Sequence, residues 1–190
     1  MDKKHLPFPR GSTLNEDGLL TLTGTEFAAL EGTIYEVPDT VHNTGRTVLL
    51  RLVRNGSGNA ITVARKGIEF STAASKDWGG VAAGICNTAG AVGKPIDDAY
   101  TVGKSIADDD YFYVVEAGPC YIVTEDSSVN LAAGASVAFD NTGAVNGAAA
   151  TEAEFIVGVL DAASTDKSTN VLVWVEPGIK PANPVDSVGT

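Results

Sequence analysis

The second half of the chain, from Tyr111 to Val175, alternates short apolar runs with Gly, Asn and Asp. Runs rich in Val, Ile, Phe and Tyr that are bounded by turn residues are typical of β-strands. The chain carries no heptads, no long amphipathic helix and no repeat of constant period. The pattern therefore predicts an all-β fold, a β-sandwich or a barrel-like domain.

Four features of this half predict how its strands are arranged. Residues 111–116 are apolar on both faces, which is typical of a strand that lies between two layers or against another subunit. Gly118-Pro119 predicts a turn, and the segment DNTG (140–143) predicts a hairpin turn in which Gly143 takes a positive φ. The runs FIVGVL and VLVWV are expected to pair with each other.

The clearest hairpin candidate lies at residues 47–66. The segment TVLLRLVR alternates as a strand, NGSGN is rich enough in Gly to reverse the chain, and AITVARK is the expected return strand. This hairpin would be locally basic, and its positive face is either a solvated strand surface or a docking strip for an acidic protein surface. The candidate contact residues on it are Arg51, Arg54, Arg65 and Lys66.

The remaining segments are less regular. Residues 1–16 are interpreted as an extended N-terminal arm, 17–178 as the β-rich domain, and 179–190 as a loose C-terminal tail. Strands are expected at 19–23 and 32–37, with one helical turn at 25–32 between them.

Residues 71–104 have little pattern, and such a long segment in a compact domain is usually functional or ordered by a partner. Trp78 within it is either a core residue, which is favoured, or an interface anchor. With Tyr111 and Tyr113, Trp78 completes the candidate partner-contact residues.

Composition narrows the class of protein. The formal charge of −11 on 190 residues opposes binding to nucleic acid and to anionic membranes, both of which need clustered Lys and Arg. No stretch approaches the roughly 20 apolar residues of a membrane helix. The start of the chain has no apolar run, so we expect no secretion signal and synthesis in the cytoplasm.

Cys86 and Cys120 are expected to be reduced and buried, with a disulfide as the less favoured alternative.

Candidate chemistry is sparse. The two histidines are His5 and His42, and no Gly-x-Ser-x-Gly segment accompanies them, so a loop role for His42 is favoured over a catalytic triad.

Asp108, Asp109 and Asp110 form an acidic run with Asp97 and Asp98 nearby, but the alternating spacing of a calcium loop is missing and a solvated turn is favoured. The Gly-rich segments lack the Gly-Lys-Ser/Thr ending of a phosphate loop. We therefore expect no metal, no cofactor and no catalytic residue.

The order of segments resembles that of the capsid decoration, or cement, proteins of tailed bacteriophages. The resemblance covers about residues 45–176 and rests on TVLLRLVRNGSGNAITVARKGIEF, GKPIDDAY, DDDYFYVVEAGPCYIV, LAAGASVAFDNTGAV and FIVGVLDAA followed by VLVWV. It implies a virion structural protein on the capsid exterior. Such a protein binds the major capsid protein, commonly as a homotrimer, and cements neighbouring subunits of the mature expanded shell. A ring of three subunits around residues 111–116 would bury the apolar surface that one chain leaves exposed.

Three other classes stay open. A carbohydrate- or cell-surface-binding β-sandwich on a virion would need Trp and Tyr side chains exposed in a groove. An enzyme would need a cleft with convergent polar groups and is disfavoured by the lack of a motif. A main coat protein is disfavoured because the usual tailed-phage coat is larger and has a long helix.

Overall fold

The computed structural model describes residues 13–14, 20–21, 30–39, 41–62, 65–70, 80–87, 92–97, 105–124, 131–147, 155–164 and 170–181. These residues are all-β, in the sandwich-like arrangement that the sequence predicted. Within the described ranges, no helix has the length and apolar character needed to cross a membrane. The strands are β1 (Thr13–Leu14), β2 (Leu20–Thr21), β3 (Ile34–Pro38), β4 (Thr47–Asn55), β5 (Gly67–Phe70), β6 (Val81–Ile85), β7 (Gly93–Pro95), β8 (Tyr111–Val123), β9 (Ser136–Phe139), β10 (Val145–Gly147), β11 (Phe155–Leu160) and β12 (Asn170–Pro181).

Strand β8 joins two sheets. Its first part, Tyr111 to Ala117, pairs antiparallel with β4, and its second part, Gly118 to Val123, pairs antiparallel with β12. The predicted turn at Gly118-Pro119 is therefore wrong, because the chain stays extended there and changes partner. Gly118 allows this change, since it has φ 108° and a Cβ at this position would lie 2.8 Å from the Thr47 carbonyl oxygen.

The main core lies between the two sheets. Leu50 and Leu52 of β4 meet Val137 of β9 and Val173 of β12 in one cluster. A second cluster covers the opposite face of the first part of β8, where Phe112 and Val114 pack with residues of β5 and β6 and with Ile61, Ile96 and Ile106. Residues 111–116 are thus buried on both faces by their own chain, which confirms the prediction of a strand between two layers.

The predicted hairpin at 47–66 is wrong in its second half. Strand β4 is present, but its antiparallel neighbours are β3 and β8, so the return segment has no antiparallel place beside it. In that segment Ile61 makes a single bridge to Ile106, and Arg65 has φ 60°, which is incompatible with a continuous strand. The reversal at NGSGN is held by Asn55, whose side-chain amide donates to the carbonyl oxygens of Asn59 and Ile106.

The turn at residues 140–143 is confirmed. Strands β9 and β10 pair antiparallel across it, and Gly143 has φ 76°. The Asp140 carboxylate accepts hydrogen bonds from the backbone N–H groups of Thr142 and Ala144, which closes the turn. The predicted pairing of β11 with β12 is also confirmed.

Other segments differ from the prediction or fall outside the described residues. The weakly patterned region 71–104 contains two short strands, β6 and β7, and β12 continues to Pro181, three residues into the predicted tail. Thr13 and Leu14, within the predicted arm, pair with β2. Trp78 and most of the predicted helical turn at 25–32 lie outside the described residues.

Cys86 and Cys120 are both buried and are not joined in a disulfide, as predicted. Burial raises the pKa of the Cys86 thiol, with a smaller contribution from the charge of Glu69. A protonated thiol in such a position is a poor nucleophile and acts as a small apolar side chain.

Candidate functional site

The four predicted contact cations do not form one strip, because each has its own partner within the chain, although Arg51 and Arg54 share strand β4. Arg51 on β4 donates from Nε to Glu116 Oε2 at 2.9 Å. The Glu116 side chain is buried, and its other oxygen accepts a hydrogen bond from the Gly178 backbone N–H.

A lysine that the sequence did not single out completes this buried group. Lys94 of β7 is 5% exposed and donates from Nζ to the Glu116 carbonyl oxygen at 3.0 Å and to the Glu176 carbonyl oxygen at 2.7 Å. Burial lowers the pKa of Lys94, while the nearby Glu116 carboxylate acts in the opposite direction. The group joins β4, β7, β8 and β12, so its charges serve the fold. The only local signal was a lysine between a glycine and a proline, which is too common to identify a buried cation.

Arg54 lies in a second cluster at the other end of β4. Its Nε is 2.7 Å from Glu31 Oε1, and its Nη1 is 2.6 Å from Asp109 Oδ1. Tyr111 donates its hydroxyl to the same Glu31 oxygen at 3.0 Å. Burial, and then the hydrogen bond to Glu31, raise the pKa of Tyr111 to about 12. Two predicted contact residues therefore share one acid, and both are turned toward their own chain.

Arg65 and Lys66 lie immediately before β5. The Arg65 guanidinium carbon lies 5.5 Å from the centre of the Tyr121 ring. Lys66 donates from Nζ to the Thr142 carbonyl oxygen at 2.9 Å.

The two predicted contact tyrosines are internal. Tyr111 and Tyr113 are each 3% exposed, and Tyr113 meets Tyr35 edge to face with ring centres 5.9 Å apart. Neither ring is presented to a partner in this structure. The apolar surface that a trimer was expected to bury is already covered within one chain.

His42 is a loop residue, as predicted, but it is buried between two carboxylates. Its Nδ1 lies 2.9 Å from Asp39 Oδ1 and its Nε2 lies 2.7 Å from Asp97 Oδ2, with none of the three side chains exposed. Asp39 also accepts hydrogen bonds from the backbone N–H groups of Val41 and Thr44. The imidazole thus connects the β3–β4 loop to the segment after β7. Its 55-residue separation from Asp97 gives no sequence signal.

The arrangement favours a charged imidazolium. Burial has the largest single influence on the pKa of His42 and lowers it, but the hydrogen bonds and charges of Asp97 and Asp39 outweigh burial and raise the pKa overall. For Asp39, burial acts to raise the pKa, whereas the hydrogen bonds from Thr44, His42 and Val41 together lower it well below its usual range. Both ring nitrogens are engaged by acids, so the geometry supports a structural ion pair and not a base poised beside a nucleophile.

The acidic run 108–110 is a turn whose carboxylates point to different protein groups. Asp108 accepts from the Gly58 N–H, Asp109 pairs with Arg54, and Asp110 accepts from the Ala107 N–H. Among the described residues, no three His, Cys, Asp or Glu side chains are grouped as a metal site requires.

Among the described strands, β3 has one open edge. It pairs with β4 on one side, and no other described strand pairs with it. Tyr35 and Val37 face the core, whereas Ile34, Glu36 and Pro38 are exposed. Ile34 is 46% exposed and is the one large hydrophobic residue so exposed in the described part of the chain. Unpaired edges with apolar side chains are sites at which other chains add a strand.

A depression of about 650 Å³ lies beside the β3–β4 loop and is lined by Gly45, Arg46, Thr47 and Trp174. We call it the Trp174 depression. Trp174 is partly exposed on β12 and donates its indole N–H to Asp161 Oδ1 at 2.7 Å. Trp174 is not among the contact residues predicted from the sequence. The signal was the run VLVWV, in which Leu172 and Trp174 occupy one face and three valines the other, so that neither face is polar.

No protein-family model and no curated protein matches the chain. Among solved structures, the chain is similar to the N base of head fiber gp8.5 of bacteriophage phi29. The similarity covers 68% of this chain and 94% of that chain, with 11% sequence identity and a TM-score of 0.40.

Proposed function

We propose that this protein is a non-enzymatic virion component that binds the outer surface of an icosahedral phage capsid and cements neighbouring coat subunits. The proposal starts from the resemblance of residues 45–176 to capsid decoration proteins. The described polar residues that suggested chemistry support it, because His42 and the Asp108–Asp110 run are engaged in internal structural contacts.

The observation that carries the proposal is the open edge of β3. An extended coat-protein segment could add to this edge through main-chain hydrogen bonds, while exposed Ile34 supplies apolar contact. Edge strands of soluble proteins are usually blunted by charge or proline, or are covered. Strand β3 carries an exposed Glu36 and Pro38, but Ile34 still presents an exposed apolar side chain that an added strand would contact. The net charge of −11 limits unspecific association elsewhere on the surface.

Cementing would work by differential binding. A protein that contacts two neighbouring coat subunits only when the shell has expanded lowers the free energy of the expanded state alone. Its effect then grows with its free concentration, as for any ligand that binds one of two states.

Co-sedimentation with coat shells tests the proposal. The purified protein should pellet with expanded shells and stay in the supernatant with unexpanded ones. Ile34→Lys should weaken pelleting at least tenfold, because a charge at an edge opposes strand addition. Ala60→Lys adds the same charge at an exposed loop position and should pellet like the wild type. Equal pelleting with both shell forms, or an unchanged Ile34→Lys variant, would overturn the proposed mechanism.

Trimer formation stays part of the proposal, although residues 111–116 no longer support it. Light scattering at micromolar concentration should give three times the chain mass of 19.5 kDa. A single monomeric species would remove the trimer from the proposal and leave capsid binding to be tested separately.

A second candidate function is carbohydrate recognition on a virion surface. The Trp174 depression favours it, because ligand sites of this size combine an aromatic wall with a few polar groups, and its volume of about 650 Å³ lies within the usual range.

A further inference from the structure

We propose that the Trp174 depression binds an acidic saccharide, a sugar ring that carries a carboxylate. This inference rests on the second candidate function and does not depend on capsid binding. It assigns the ligand class from the side chains that line the depression.

Trp174 supplies an oriented aromatic wall. It sits opposite Pro119 on β8 and Val159 on β11, and Gly158 allows close approach of β11, since a Cβ there would meet the Trp174 carbonyl oxygen at 2.1 Å. The hydrogen bond from its indole N–H to Asp161 fixes the ring about its own axis. A partly exposed, oriented indole offers a flat apolar surface of the size of one pyranose ring.

Arg46 supplies the charge. It is exposed in the β3–β4 loop, and within the described ranges no carboxylate contacts its side chain. Arg51 and Arg54 pair with acids, and Arg65 lies against Tyr121. Arg46 therefore keeps its donors available, and a guanidinium binds a carboxylate through two parallel hydrogen bonds.

The loop leaves the depression accessible. Gly45 has φ 66°, and a Cβ at this position would meet nothing within 4 Å, so its backbone lies open beside Arg46. Thr47 on the next strand adds a hydroxyl, and its residue is exposed. The backbone and hydroxyl together suit the hydroxyl groups of a sugar.

The shape favours a saccharide over an acidic peptide. Protein anchors are usually large side chains held in fully desolvated pockets with several apolar residues. The described residues that line this depression bring one aromatic side chain and one guanidinium to a single shallow space. A ligand with an apolar face and a carboxylate on the same small ring matches both groups at once.

Calorimetric titration of the full chain tests the inference. The probes are a tetrasaccharide of galacturonic acid, the galactose tetrasaccharide of the same linkage, and hexaglutamate. The acidic sugar should bind at least tenfold more tightly than the neutral one, and hexaglutamate should bind more weakly than either. The preference arises at Arg46, since the protein as a whole repels anions.

Variants separate the roles of the lining residues. Arg46→Gln should bring the affinity for the acidic sugar to that for the neutral sugar, while Lys66→Gln, which removes one charge elsewhere, should leave both affinities unchanged. Trp174→Ala should reduce binding of both sugars at least tenfold, and Trp174→Phe should retain part of it. If Trp174→Ala does not fold, the Trp174→Phe and Arg46→Gln variants still decide the matter.

The contrary outcomes are distinct. Equal binding of both sugars, insensitive to Arg46→Gln, would overturn the acidic class while the carbohydrate function stands. No binding of either sugar would overturn both. Tight binding of hexaglutamate that survives Trp174→Ala would identify the surface as a site for acidic peptides and would overturn the inference.

Discussion

Strands β8 and β12 both carry apolar residues on two faces, but only one of them is covered on both. The first part of β8 has the main core on one face and the second cluster on the other, so Phe112 is 1% exposed. In β12, Val173 and Val175 face the main core, while Leu172 and Trp174 on the opposite face stay partly exposed.

The difference shows that a two-faced apolar pattern has two meanings. In β8 it serves an additional internal layer, which β5, β6 and nearby segments provide. In β12 no described element supplies such a layer around Trp174. There, apolar residues on both faces indicate that one face of the strand lies at the protein surface. The partner surface is therefore to be sought around Trp174 and along β3, away from the tyrosines of β8.

Truncation of one large side chain from each strand should separate the two roles most strongly. Phe112→Ala should lower the free energy of unfolding by about 3–5 kcal/mol, because it leaves a cavity between packed layers. Trp174→Ala should lower it by about 1–2 kcal/mol, because less apolar area is removed from the folded state. Urea unfolding measures both, and equal losses would contradict the assignment of β12 as the exposed strand.

The buried charges around Glu116, near the end of the first part of β8, should be nearly as sensitive. Glu116→Ala leaves Lys94 and Arg51 without their carboxylate and should cost about 3–5 kcal/mol. Glu36→Ala removes an exposed glutamate from β3 and should change stability by less than about 0.5 kcal/mol. A loss at Glu116 as small as that at Glu36 would mean that the group is solvated.

The histidine network should give a smaller, pH-dependent effect. Because the folded pKa of His42 is raised, its stabilisation is full below the ordinary value of 6.5 and is lost as the pH rises through the folded pKa. Because the folded pKa of Asp39 is lowered, its stabilisation of the folded state is also lost at acid pH, as the pH falls below 3.8 toward the folded pKa. Arg65 approaches across Tyr121 and adds a positive charge near the network.

His42→Gln should therefore destabilise the protein by about 1–3 kcal/mol at pH 5.5 and by much less at pH 9, as measured by urea unfolding at both values. His5→Gln removes the other histidine and should keep the wild-type pH profile. A His42→Gln loss that is constant with pH would contradict a charged imidazolium.

The smallest effects should distinguish the paired arginine from the unpaired one. Arg54→Gln breaks partly exposed ion pairs with Glu31 and Asp109 and should cost about 0.5–1 kcal/mol. Arg46→Gln should change stability by less than about 0.5 kcal/mol. If thermal unfolding showed a larger loss at Arg46, its side chain would have a structural partner and would be a poor candidate for ligand binding.

Local sequence patterns predicted the turns and the side-chain alternation of single strands, because both depend on neighbouring residues. The DNTG turn, the alternation of β4 and the two-faced start of β8 follow from turn chemistry and side-chain period. The neighbours of β4 did not follow, because β4 pairs with β8, about sixty residues away, in place of the segment that comes next. Gly118-Pro119 resembles a turn, yet its position where β8 changes sheets keeps it extended.

The candidate sites were harder to predict for the same reason. The pairs His42–Asp97 and Lys94–Glu116 join residues that are distant in sequence, and only folding brings them together. The predicted hairpin places the basic residues of 47–66 on one surface. Once β4 lies inside a sheet, its arginines meet acids of other elements.

Hydrogen exchange on β3 tests the central claim of the proposed function most directly. The protein should be compared free and bound to expanded coat shells, with the amides of β8 as an internal reference for buried strands. Residues 33, 35, 37 and 39 bond to β4, so the N–H groups of Ile34 and Glu36 point to the open edge. The account predicts that the amides of Ile34 and Glu36 exchange much more slowly in the bound state while those of β8 hardly change. Bound protein whose β3 amides exchange as fast as in the free state would contradict docking at this edge.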